Sequence, residues 1–75
     1  MTMQTVFVDA RFTVDNLEGV VTRTPIKLLL TMLVPVYVLD ETSNGDDFRF
    51  EVAIQSAAFP IFRARPTLLD WTIID

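Results

Sequence analysis

The 75-residue chain has no cysteine and no histidine. Disulfides and Cys-ligated metals are therefore excluded, and the commonest ligand for borderline metals is missing. The same absences rule out a Ser-His-acid triad and a Cys-His pair. Ser43 and Ser56 are the only serines, and no motif presents Lys27 as their base. Gly19 and Gly45 are the only glycines, too few for a phosphate-cradling loop.

Basic residues are scarce as well. Six Lys and Arg stand against ten Asp and Glu, a net charge of −4. Residues 1–39 balance, with Asp9, Asp15 and Glu18 against Arg11, Arg23 and Lys27. The excess lies in residues 40–75, where Asp40, Glu41, Asp46, Asp47, Glu51, Asp70 and Asp75 face Arg49, Arg63 and Arg65. No basic stripe suited to phosphates is visible, so nucleic-acid binding is not expected.

Long hydrophobic runs are also lacking. The longest apolar stretch, Leu28 to Leu39, is interrupted by Thr31 and Pro35. It falls well short of the roughly 20 residues a membrane helix needs. The first residues show neither the positive nor the apolar region of a signal peptide. The expected compartment is the cytoplasm, or the interior of a particle assembled there, without membrane contact.

What the chain has is apolar surface. Hydrophobic residues make up 51% of a sequence long enough for only one core. With no disulfide or metal to reinforce it, such a domain either packs densely or buries apolar surface by assembling with copies or partners. Several segments are apolar on both faces, which predicts association and makes a homo-oligomer the expected state.

The fold class expected is a small β-rich (α+β) domain: an antiparallel sheet of about four strands, a central hairpin and one or two short helices. Residues 1–75 form a single domain in this reading. Thr5 to Val14 is a half-buried strand, with Val6, Val8, Ala10, Phe12 and Val14 on one face. Phe7 is the single apolar residue on the other face. Asp15-Asn-Leu-Glu-Gly19 supplies a turn. Thr24-Pro25 resembles a helix start, and a helix to Leu33 would align Ile26, Leu29, Leu30 and Leu33. An apolar strand after Pro25 is the competing reading.

Asn44-Gly45 between two alternating runs predicts a type I′ hairpin joining 34–43 to 46–55. Its register places Tyr37, Leu39, Phe48, Phe50, Val52 and Ile54 on one face and sets Asp40 beside Arg49. Ala57 to Arg65, with Pro60, reads as an extended edge segment. Residues 67–74 divide between a capped helical turn (Thr67, Asp70) and a strand (Trp71-Thr-Ile-Ile74).

Two sets of residues are candidates for partner binding. Asp40, Glu41, Asp46, Asp47 and Glu51 gather at the expected hairpin tip, where carboxylates can meet a basic partner or simply solvate a turn. The run Asp-Glu-Thr-Ser-Asn-Gly-Asp-Asp lacks the alternating ligands and terminal Glu of a calcium loop. Phe59, Ile61, Phe62, Arg63, Arg65 and Trp71 combine aromatic anchors with arginines, as protein interfaces do. A core lid with snorkelling arginines is the equal alternative for them.

The function these features predict is non-catalytic: a protein-binding adaptor or inhibitor that self-associates and needs no cofactor. A structural subunit of a larger assembly, such as a virion or compartment component, is the second reading. An enzyme would require the acidic tip to complete a pocket built by another subunit.

Overall fold

A computed structural model describes residues 2–14 and 24–74. The order is β1 (Met3–Val14), β2 (Ile26–Pro35), α1 (Val36–Ser43), α2 (Phe48–Phe62) and β3 (Pro66–Ile74). The three strands form one antiparallel sheet in the order β2-β1-β3. The protein is an α+β domain with two short helices, although the residues are allotted differently from expectation. The turn expected at 15–19 lies outside the described residues.

β1 follows its alternation closely. Val6, Val8, Ala10, Phe12 and Val14 are all buried. β2 is a strand rather than the helix expected over 25–33. Its alternation buries Leu30, Met32 and Val34 while Leu29 and Leu33 remain exposed. Leu, Lys and Met favour helix in isolation, but the continuous ladder from Met3↔Pro35 to Phe12↔Ile26 overrides that weak preference. β3 is strand throughout, with a register shift between Arg11 and Phe12 on its partner.

The hairpin expected at 34–55 does not form, and among the described residues the sheet has three strands where about four were expected. The buried residues Phe50, Ile54 and Ala58 recur every fourth position, so period 3.6 prevails over the apparent period of two. Asn44-Gly45 serves instead as a helix stop. Gly45 N–H donates to Thr42 O at 3.0 Å and Asp46 N–H to Glu41 O at 2.9 Å, the paired bonds of a Schellman motif. Gly45 has φ +92°, whereas Asn44 has φ −90° and ψ 6°. A type I′ turn would need positive φ at both.

The expected edge strand 57–65 is also revised, because α2 continues through Pro60 to Phe62. Proline removes the N–H that would bond the Ser56 carbonyl. Ser56 and Pro60 are both exposed residues. Arg63 ends the helix in the left-handed region at φ 54°, its N–H donating to Phe59 O at 2.9 Å.

Both helices lie on the inward face of the sheet. Val38, Phe50, Ile54 and Ala58 complete the core begun by β1 and β2. Ala10 and Ala58, both fully buried, add no bulk where the layers meet. Phe62 meets Phe12 edge-on at 5.5 Å between centroids, and Phe50 packs on Trp71 at 4.8 Å. No polar or charged residue is buried among those described. Among the described residues, no helix lies over the opposite face of the sheet.

Candidate partner-binding surface

The five acids gather at the corner between the helices rather than at a hairpin tip. Asp40 and Glu41 lie on α1, Asp46 and Asp47 in the connection, and Glu51 in the first turn of α2. Asp47 is the N-cap residue of α2, and Asp46 Oδ1 accepts a long bond from Phe48 N–H at 3.4 Å. Their negative charge opposes the positive end of the helix dipole, a structural role independent of any partner.

The cross-strand Asp40–Arg49 pair is replaced by Glu41–Arg49, with Nε 3.5 Å from Oε2. Glu41 Oε2 is shielded from water and accepts no hydrogen bond, so this ion pair supplies its electrostatic compensation. The guanidinium also lies 5.6 Å from the centroid of the Tyr37 ring, within cation–π range. Asp40, Asp46, Asp47 and Glu51 make no ion pair among the described residues.

Beside these acids, α2 turns a second apolar stripe to solvent. Phe48, Val52 and Phe59 are 73%, 45% and 54% exposed, with Gln55 between them. Their spacing of four and then seven residues places all three on one helix side, roughly opposite Phe50 and Ile54. The hairpin register places Phe48 and Val52 inward with Phe50. Helical geometry separates them.

The other candidates divide between core and surface. Phe62 and Trp71 are half-buried and packed on Phe12 and Phe50. Ile61 is exposed at the end of α2, and Arg63 and Arg65 are exposed in the connection to β3. Arg65 borders an open groove with Phe59, Gln55, Ser56 and Pro66. The acidic corner and the Phe59 end therefore share one helix but occupy opposite ends of it.

The sequence pattern does not single out the exposed sheet face. Phe7, Leu29, Leu33 and Ile74 all lie there, 42% to 68% exposed. Alternation in β2 carries the signal, but a helical stripe absorbs Leu29 and Leu33 equally well. Charges occupy the other end of this face: Arg11 donates from Nε to Asp70 Oδ1 at 2.8 Å and from Nη2 to Oδ2, and Lys27 Nζ lies 3.2 Å from Asp9 Oδ2. The Arg11 hydrogen bond holds the Asp70 carboxyl below its ordinary range, and Asp70 raises Arg11.

Among the described residues, no three metal-ligating side chains converge as a cation site requires. None of the described helices is long and apolar enough to cross a membrane. No family model matches the chain, and neither a curated protein nor a solved structure matches it.

Proposed function

We propose that the chain is a non-catalytic protein-binding protein, an adaptor or inhibitor, whose helical layer docks on a basic and partly apolar surface of another protein. The observation that carries this reading is the exposed Phe48–Val52–Phe59 stripe next to the acids of the interhelical corner. Aromatic side chains supply most of the free energy of such contacts once water is excluded around them. Surrounding charge mainly accelerates encounter and discriminates against like-charged partners. Asp40, Asp46, Asp47 and Glu51 suit that task because no cation among the described residues neutralises them. The cytoplasm is the compartment this reading assumes.

A synthetic amphipathic helix of leucine and lysine, titrated by calorimetry, tests the proposal. Binding should weaken with added salt and with Phe48→Ala or Phe59→Ala, while a leucine–glutamate counterpart of the same length should not bind. Equal binding of both peptides would remove the electrostatic part of the reading, and failure of both would overturn it.

The second reading, a structural subunit of a larger assembly, draws on apolar surface exposed on both layers. Such a subunit could contact different neighbours through α2 and through the sheet.

A further inference from the structure

We propose that the face of the sheet left uncovered by the described residues is a homodimer interface, packed sheet to sheet on a second copy of this chain. The helices shield only the inward face of the sheet, and the outward face presents Phe7 at its middle strand. Thr31 on β2 and Ile74 on β3 are in register with Phe7 on either side. Leu29 and Leu33 extend the apolar area along β2, each more than three-fifths exposed.

The distribution of charge identifies the occupant. Residues 36–62 hold Asp40, Glu41, Asp46, Asp47 and Glu51 against Arg49, that is 1 − 5 = −4, equal to the net charge of the whole chain. Two copies meeting through their helices would bring these like charges together. The outward sheet face carries Asp9 and Asp70 against Lys27 and Arg11, which sum to zero. A second copy can approach this face without net repulsion.

The edge-strand charges are also self-complementary, whereas Arg11 and Asp9 on β1 face their own equivalents and keep their intrachain partners Asp70 and Lys27. Lys27 on β2 and Asp70 on β3 flank Arg11 in register. A two-fold axis running along β1, between the two sheets, exchanges β2 with β3. It sets Lys27 opposite the second copy's Asp70, and Asp70 opposite the second copy's Lys27. Phe7 then meets its own equivalent at the centre, as an isologous interface requires.

The available area is sufficient for such a pairing. Three strands about 4.8 Å apart and about ten residues long give a face of roughly 14 by 30 Å in plan. Two such faces bury on the order of 1,000 Å² of accessible surface, near the lower bound for a specific interface. Sheets packed in this way lie about 10 Å apart with their strands nearly aligned.

Sedimentation equilibrium of the full chain, from micromolar to millimolar concentration, tests the inference. The wild-type chain should show a reversible monomer–dimer equilibrium. Phe7→Lys and Leu29→Lys should each raise the dimer dissociation constant at least about tenfold with unchanged far-ultraviolet circular dichroism. Should either variant fail to fold, charge exchange reads the same face without altering an apolar group: Lys27→Glu should weaken the dimer, and adding Asp70→Lys should restore it. A wild-type monomer at every concentration would overturn the inference. So would a dimer, or any larger oligomer, insensitive to all these changes. Peptide binding by the helical layer is measured separately, so either proposal can fail while the other stands.

Discussion

Phe50 and Trp71 stack with their ring centroids 4.8 Å apart and their planes tilted by 39°. This contact ties α2 to β3, a strand at the sheet edge. Phe50 is fully buried, whereas Trp71 is only partly so. Phe50→Ala should therefore cost about 3–5 kcal/mol through lost transfer energy and an unfilled cavity, and Trp71→Ala less. A double-mutant cycle by urea unfolding should return a coupling of about 0.5–1.5 kcal/mol between the rings. Zero coupling would mean that the ring contact adds nothing specific.

The turn between the helices makes a prediction that separates it from a hairpin. Gly45 has φ +92°, and a Cβ added there meets nothing within 4 Å. Gly45→Ala should destabilise by about 1–2 kcal/mol from backbone strain alone. Asn44 has φ −90°, accessible to any L-residue, so Asn44→Ala should be close to neutral in the same unfolding experiment. Equal losses at both positions would indicate the type I′ turn that the dipeptide suggests.

That dipeptide shows why some of the fold was legible in sequence and some was not. β1 was readable because its alternation has one solution: Val6, Val8, Ala10, Phe12 and Val14 cannot share a helix face. Residues 48–54 have two solutions, since Phe48, Phe50, Val52 and Ile54 alternate while Phe50, Ile54 and Ala58 also repeat at helical spacing. Glycine at positive φ suits both, so Gly45 could not arbitrate. The helix depends on packing against strands distant in sequence, through contacts such as Phe50 with Trp71. The acids and Phe59 were identifiable as surface candidates from their chemistry. The exposure of Phe48 and Val52 required the correct period, and the apolar sheet face required β2 to be recognised as a strand.

Acid should weaken the pairing between β1 and β3 in a defined window. The hydrogen bond from Arg11 lowers the Asp70 pKa in the folded protein. Its stabilising contribution is present above the ordinary carboxylate value, about 3.9, and is lost as pH falls through the lowered folded value. Because both groups are exposed, the effect on stability should be small. Carboxyl NMR should find Asp70 titrating below the usual range, and Arg11→Gln should return its midpoint upward. An unchanged midpoint in that variant would assign the shift to another cause.

The end of α2 carries strain that a single substitution should relieve. Arg63 occupies the left-handed region at φ 54°, where a side chain costs about 1 kcal/mol and glycine costs little. Its guanidinium makes no ion pair among the described residues, so truncation removes no such compensation. Arg63→Gly should stabilise by about 0.5–1 kcal/mol, offset in part by glycine's greater freedom in the unfolded chain. The thermal midpoint should then rise by a few degrees for a domain of this size. Arg63→Ala separates backbone from side chain, because it removes the guanidinium while keeping the Cβ that creates the strain. It should leave the midpoint nearly unchanged, and a rise matching that of Arg63→Gly would place the cost in the guanidinium instead.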